Sequence, residues 1–508
     1  MHLSPGSSLG RAVGSMLGDR WRWWATFVVL VLLTGLWSLA TPLMASPDEP
    51  AHTVKAAAVV RGELYGTPAR PTRAGISPFV RVRVPEVFAD TNELPGCYAT
   101  KQYVAASCAP GLRPRTKTVT VETPAGRYEP LYYLVVGLPS LLWRSSAGVR
   151  LMRLVSALVC SAFLASAFES ARTRRSRYAV LGVAAACTPM VVLLAGTVNP
   201  STLEIAAAVC LWSSGLAVVL DDGPGVAHGR LVTRMGLSAC VLVQVRSLSL
   251  LWTALVGLAL LAVARRERLV ELIRRTDVRV WGALFAASTV FALVWLFAFH
   301  PLTQIPTPPP HARPATAVLA SSVGKFDVVV REMIGVAGWT DVFPPAPTFY
   351  GWLVVVAVLL GLGLARARIR LMAVTAAVVL GTAIIPVVLE ASQAARIGYV
   401  WQGRYTLPLA VGIPVLAAMA VPEDLAQRIG ERVPVALAVV VVVAQAAMFV
   451  VALRRYSVGI YGPLDFFSGP WQPPLGAALV TALFGLGLLG YGLLVGLPPR
   501  HGAPRSER

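Results

Sequence analysis

Asp48, Glu49 and His52 stand together in the run Ser46-Pro47-Asp48-Glu49-Pro50-Ala51-His52. On a helix Asp48 and His52 are four positions apart and Glu49 and His52 three, so they share a face. A carboxylate beside an imidazole can take a proton from a hydroxyl as a general base, or help bind a divalent cation. The same residues also read as an ordinary helix start. Ser46 is then the N-cap, Pro47 the first helical residue and Glu49 the partner in a capping box, with Asp48 complementing the helix dipole. That reading leaves His52 and Lys55 on the same face unexplained. The second feature is Trp401-Gln402-Gly403-Arg404-Tyr405, at the start of an apolar run. A guanidinium there can grip a phosphate or pyrophosphate through its planar fork. The plain alternative is an interfacial arginine that snorkels beside a belt tyrosine. Arg246 lies between two apolar halves, where a charge needs a partner or water, so it pairs inside the bundle or meets a lipid phosphate.

Weaker candidates lie elsewhere. Asn199-Pro200, followed by Glu204, is an ordinary turn signal that can also border a site. Glu129-Pro130-Leu131-Tyr132-Tyr133 opens a stretch whose tyrosines suit a membrane interface. Trp339 and Asp341 suit stacking on a sugar and hydrogen bonding to it. Glu390, Gln393 and Arg396 read as a solvated loop face. There is no Walker loop, H-E-x-x-H, Gly-x-Ser-x-Gly, Cys-x-x-Cys or Rossmann fingerprint. A nucleotide-driven pump, a zinc protease and a serine hydrolase are therefore disfavoured.

The elements that must hold these residues are membrane helices. Of 508 residues, 56% are hydrophobic and only 14% charged, and the mean hydropathy is +0.65. Soluble domains carry about 25% charged residues, so the bilayer is the solvent. The net charge of +20 comes from short basic loops between apolar runs and reads as membrane orientation, not nucleic-acid binding. The expected fold is an all-α polytopic membrane protein of about twelve transmembrane helices. Its runs are 23–40, 148–170, 178–197, 202–220, 232–246, 249–263, 280–299, 350–365, 371–389, 405–421, 433–452 and 475–496. The pair 232–246 and 249–263 is two short spans or one broken helix.

Counting basic residues between the runs sets the direction. Arg172, Arg174, Arg175, Arg177, Arg266, Arg268, Arg366, Arg368 and Arg370 all fall on the side of the N-terminus. Both termini are then cytoplasmic. This requires Tyr128 to Trp143 to lie on the outer surface as an interfacial helix. The resulting map is a cytoplasmic N-terminus (1–22), a first span (23–43), a large extracytoplasmic loop (44–147), membrane helices (148–299), a second extracytoplasmic loop (300–349), membrane helices (350–496) and a disordered cytoplasmic tail (497–508). Alternation in Phe79–Val84 and Thr116–Thr123 predicts short strands in the first loop. Val318 to Val336 is amphipathic. Cys97 and Cys108 lie in the polar first loop and can pair as a disulfide if it is extracytoplasmic. Cys160, Cys187, Cys210 and Cys240 read as core residues.

Pro47-Asp48-Glu49-Pro50-Ala51-His52, Tyr128-Glu129-Pro130-Leu131-Tyr132-Tyr133, Thr197-Val198-Asn199-Pro200 and Gln402-Gly403-Arg404-Tyr405 resemble a bacterial membrane family, the domain of unknown function numbered 2142. The layout also resembles the GT-C superfamily of membrane glycosyltransferases. The resemblance implies transfer of a sugar from a polyprenyl-phosphate carrier to an envelope glycan, lipid or protein at the outer face of the bacterial plasma membrane, with inversion. It implies Asp48 as the base, with Glu49 as substitute and His52 beside them. Arg404 and Arg246 would stabilise the leaving phosphate. By their own chemistry and position, not by the resemblance, Glu129, Tyr132, Asn199, Trp339, Asp341, Gln402 and Tyr405 are the candidate substrate-binding residues. The resemblance leaves a divalent metal open, since only some relatives need one. Glu129 stands where many members with this motif have proline, which is neutral or adds a second carboxylate. The alternative function is a non-catalytic transporter, flippase or assembly protein for envelope polymers.

Overall fold

The computed structural model describes residues 8–69, 79–174, 176–220, 226–299, 315–397 and 399–496. The tail 497–508 and Arg175 lie outside the described residues, as do the side chains of Gln393 and Arg396. The helices are α1 (Ser8–Ala40), α2 (Glu49–Val59), α3 (Glu86–Ala89), α4 (Leu131–Val136), α5 (Pro139–Leu142), α6 (Ser146–Arg172), α7 (Arg177–Ala186), α8 (Pro189–Ala195), α9 (Pro200–Leu220), α10 (Val226–Leu242) and α11 (Ser249–Val263). They continue with α12 (Arg266–Arg274), α13 (Thr276–Phe299), α14 (Ala315–Gly324), α15 (Phe326–Gly335), α16 (Ala346–Leu364), α17 (Ile369–Ile397), α18 (Leu407–Ala410), α19 (Gly412–Met419), α20 (Glu423–Ile429), α21 (Arg432–Val458) and α22 (Ala477–Gly496).

Among the described residues eight helices are long and apolar enough to cross a membrane, and eleven spans result if each of three bent pairs counts as one. The bent pairs are α7 with α8 (63°), α11 with α12 (116°), and Leu407–Met419 with α20 (80°). The twelfth expected span, 232–246, corresponds to α10, which has 17 residues and carries Arg230 and Arg234. By length and apolarity the described residues give eight to eleven spans, not the expected twelve. Helix α10 packs along α9. Its Leu231 packs with Val218 near one end, and Arg246, just past its other end, reaches Ser201 at the start of α9. The run 232–263 is thus two helices joined by a turn at 243–248.

The core is organised around α9. Small residues, among them Ser201, Thr202, Ala206, Ala207, Ala208, Ser213 and Ser214, bury it nearly completely, and they let α6, α10 and α11 approach closely. The crossing of α7 with α19 depends on Gly182, where a Cβ would stand 2.4 Å from Ala418 Cβ and 2.7 Å from Pro414 O. The interfacial stretch is not one helix. It breaks into α4 and α5 at Gly137, where a Cβ would meet the Ala56 carbonyl at 2.2 Å, so the break lets α4 pack on α2. Leu134, Val135, Leu138, Leu141, Leu142 and Trp143 on it remain exposed.

The two expected strands form. β1 (Thr67–Pro68), β2 (Val80–Pro85) and β3 (Thr118–Thr123) make one antiparallel sheet, with Val82 opposite Val121. Val80, Val82 and Val84 are buried while Arg81 and Arg83 turn outward to Glu122 and Glu63, as period-2 alternation requires. Cys97 and Cys108 are joined by a disulfide. The ring it closes is held against the end of α21, because Arg455 donates to the carbonyls of Tyr98 (2.7 Å) and Val104 (2.8 Å).

The ends of α1 and α8 and the starts of α2, α6, α9 and α11 meet at one end of the bundle. Their anchor is Arg153 on α6, fully buried. It donates to both oxygens of Glu49 at 2.7 and 2.6 Å, and to the carbonyls of Ser38 (3.0 Å), Thr41 (3.1 Å) and Pro42 (2.7 Å). Arg153→Ala strands a buried carboxylate, and such losses cost about 3–5 kcal/mol. Thermal unfolding in detergent should show that destabilisation in Arg153→Ala. An unchanged melting temperature would exclude the anchoring role.

Candidate active site

The link between α1 and α2 is strained where the chemistry was expected. Met44 and Asp48 have left-handed backbones, with φ of 65° and 63°. Asp tolerates that region better than most residues. The expected Ser46 cap is absent: α2 begins at Glu49 with Asp48 at the cap position, and the Ser46 hydroxyl is buried without a partner among the described residues. Contacts from distant elements hold the link in place. Trp339 Nε1 donates to the Met44 carbonyl (3.1 Å) and Asn199 Nδ2 to the Pro47 carbonyl (3.3 Å). Glu49 turns away to Arg153, and its Oε1 also accepts the Val198 amide at 3.1 Å.

A cavity of about 150 Å³ opens beside this link. Asp48, His52, Asn199, Arg246, Arg404 and Tyr405, six of the residues singled out from the sequence, line it. Tyr128, Ser201, Pro124, Ala125 and Ala51 complete the wall. Arg404 is buried on the turn 403–405, held by the Gly403 amide donating to Glu332 (2.6 Å), and pairs with Asp48. It also donates to the Tyr405 hydroxyl at 3.2 Å. Arg246 lies over the rings of Tyr405 (4.6 Å) and Tyr128 (5.7 Å), donates to Ser201 Oγ (2.9 Å) and pairs with Glu204 at 3.5 Å. His52 Nδ1 shares a hydrogen bond with the Tyr133 hydroxyl at 2.8 Å.

The electrostatics follow from this arrangement. Burial opposes the charge on Asp48, but Arg404, His52 and Arg246 outweigh it and hold its carboxyl below the usual range. Burial drives the His52 imidazole down to about 3, against the pull of Asp48. His52 is then neutral at neutral pH, so the two guanidiniums keep Asp48 ionised there. The side chain of Asp48 is 47% exposed while that of Arg404 is 4% exposed. The pair therefore has one sealed partner and one partner open to the cavity.

The other expected site residues lie outside this cavity. Glu129 is buried behind Tyr128; Ser247 Oγ donates to its Oε1 at 2.7 Å, its Oε2 has no partner among the described residues, and burial raises its carboxyl. Lys55 ties the carbonyls of Leu64 and Gly126 together, and burial pushes it down to about 7, with Glu129 opposing. Tyr132 sits behind the wall, where its hydroxyl accepts the Asn199 amide (2.9 Å) and meets Ser156 (3.0 Å). Gln402 lines an adjoining cleft with Ser46, Glu332 and Arg404. Trp339 and Asp341 build a tight turn, in which Asp341 pairs with Arg455 at 3.0 Å and accepts the Trp339 amide at 3.0 Å. Both side chains of that Trp-x-Asp are engaged with protein, not with the cavity.

A divalent cation does not fit the trio Asp48, Glu49 and His52. Both Glu49 oxygens face Arg153, and two guanidiniums flank Asp48. Among the described residues no three His, Cys, Asp or Glu side chains converge as a metal site. Four residues that shape the cavity were missed as site residues: Arg153, Tyr128, Tyr133 and Glu332. Arg153 had a readable signal, a charge inside the apolar run 148–170. Tyr128 and Tyr133 lay in a motif read as interfacial. Glu332 had no local signal.

Residues 30–413 match the family described as "Predicted membrane protein (DUF2142)". No curated protein matches the chain. Two crystal structures of ArnT from Cupriavidus metallidurans are similar to it. The apo state shows 17% identity and a TM-score of 0.46. The undecaprenyl phosphate complex shows 15% identity and a TM-score of 0.44. Each alignment covers 94% of this chain and 77% of the other. The family match spans most of the sequence, and the chain belongs to the DUF2142 family of membrane proteins.

Proposed function

We propose that this protein is an inverting GT-C-type glycosyltransferase that moves a sugar from a polyprenyl-phosphate donor to an envelope acceptor at the outer face of the plasma membrane. One observation carries the reading: an ionised carboxylate, Asp48, and two guanidiniums, Arg404 and Arg246, face one cavity at the end of an apolar bundle. The basic residues Arg172, Arg174, Arg366, Arg368, Arg370, Arg428 and Arg432 mark the opposite end, which supports an outward-facing site.

In the reaction Asp48 takes the proton of the acceptor hydroxyl. The acceptor oxygen bonds to the anomeric carbon from the face opposite the phosphate, and the bond from that carbon to the phosphate oxygen breaks. Its electron pair leaves with the polyprenyl phosphate, whose added charge Arg404 and Arg246 stabilise. Tyr128 and Tyr405 wall the cavity and hold Arg246 over their rings, where it meets the phosphate. Glu49 keeps Asp48 in place and does not touch the substrate.

Asp48→Asn should lower transfer about 10²–10⁴-fold, the usual contribution of a general base, while the protein inserts normally. Mass-spectrometric profiling of envelope glycans and lipids would compare a deletion strain carrying the native chain with one carrying Asp48→Asn. A saccharide lost in the variant at normal protein level supports the enzyme. Full restoration by the variant rejects it in favour of a transporter or assembly protein.

The lowered carboxyl of Asp48 also sets a pH dependence. Its ion pair contributes stability above the unfolded-state value of about 3.9, and that contribution disappears as pH falls through the lower folded value. Melting temperatures measured from pH about 7 to about 3 should converge for the native chain and Asp48→Asn at the acid end. Parallel curves would show that Asp48 carries no such linkage.

A further inference from the structure

The two guanidiniums of the cavity have different counter-ions. Arg246 pairs with Glu204, whose side chain is fully buried in α9. Ser201 and the rings of Tyr405 and Tyr128 hold it further. Its counter-charge belongs to the packed bundle. Arg404 makes one ion pair among the described residues, with Asp48, whose side chain is 47% exposed. Glu332, nearby, accepts the Gly403 amide on one oxygen and forms no ion pair with Arg404 among the described residues. The counter-ion of Arg404 is therefore the proposed base itself, on a side chain that opens to the cavity.

We propose that the donor phosphate switches on the base: a phosphoryl group entering the cavity takes Arg404 from Asp48, and only then does Asp48 accept the acceptor proton. The inference rests on the glycosyltransferase reading and adds its order of events. A phosphate competes well for a guanidinium because it offers paired anionic oxygens to the planar fork. The exchange acts on Asp48 twice. It removes the opposite charge that weakens the carboxylate as a base, and it brings a like charge close by. The groups facing Asp48 are Arg404 and Tyr405 on the turn 403–405, Arg246 on the α10–α11 link, His52 on α2 and Tyr128 before α4. His52 is neutral, and Tyr128 is held protonated by burial. Arg246 keeps its own counter-ion. The Asp48–Arg404 pair is the contact that an arriving phosphate can exchange. The backbone of the link stays in place meanwhile, tied by Trp339 at Met44 and Asn199 at Pro47. Without donor, Asp48 stays locked as a weak base, so neither water nor a lone acceptor is deprotonated.

The test uses the full chain in phosphatidylcholine nanodiscs. Difference infrared spectroscopy follows protonation of Asp48, with the signal assigned by its loss in Asp48→Asn. Farnesyl phosphate is the probe, farnesol the control for the prenyl chain and inorganic phosphate the control for a free anion. Calorimetry establishes binding. The expected result is a rise in the Asp48 midpoint of about one to three pH units with farnesyl phosphate, none with farnesol, and the same rise with inorganic phosphate at saturation. Arg404→Gln should show the raised midpoint without any probe. If farnesyl phosphate binds and the midpoint stays put, the inference falls and the donor site stands. A low midpoint in folded Arg404→Gln also overturns it. If neither phosphate binds, the donor-site reading falls as well.

Discussion

A carboxylate and a guanidinium sealed in an apolar bundle must satisfy each other completely, because neither lipid nor water is there to do so. The Glu49–Arg153 pair meets that demand. Arg153 spends its donors on both Glu49 oxygens and on three carbonyls at the end of α1. Glu49 adds the Val198 amide at the junction of α8 and α9. One contact therefore fixes where α1 ends, how α2 leaves it, and how both sit on α6 and α9. The positions of Asp48, next in the chain to Glu49, and of Asn199, next to Val198, follow from it.

The charges at this end of the bundle divide by exposure. Glu49–Arg153, Glu204–Arg246 and Asp341–Arg455 have side chains exposed by no more than 12%. They carry the architecture: the α1–α2 link, the α10–α11 link, and the disulfide ring on α21. Asp48–Arg404 differs, with one partner buried and the other half open to the cavity. A sealed pair is costly to break and gains little from a ligand. A half-open pair can exchange its partner at small cost, which suits a site that receives an anion.

The backbone of Asp48 belongs to the same logic. A left-handed conformation in a residue other than glycine persists only where the surroundings over-determine it. Here Trp339, Asn199 and the Glu49–Arg153 pair supply that constraint from three different parts of the chain. The Trp-x-Asp motif, read from sequence as a sugar contact, contributes through this support. Its tryptophan holds Met44 and its aspartate holds Arg455.

Local pattern determined much of this protein. Hydropathy located the apolar runs, because a bilayer demands about 20 apolar residues per crossing. Period-2 alternation located both long strands. The chemistry of isolated residue types picked out Asp48, His52, Arg404 and Arg246, which tertiary structure then brought to one cavity although Asp48 and Arg404 are 356 residues apart. Tertiary structure alone decided the division of roles. Asp48 and Glu49 are neighbours with the same charge, and nothing local says which one opens to solvent. That depends on Arg153, 104 residues away from Glu49. The break at Gly137, the missing Ser46 cap and the diversion of Trp339 and Asp341 have the same origin. Each is settled by a side chain or carbonyl arriving from a distant element, and packing in three dimensions carries that information where periodicity along the chain does not.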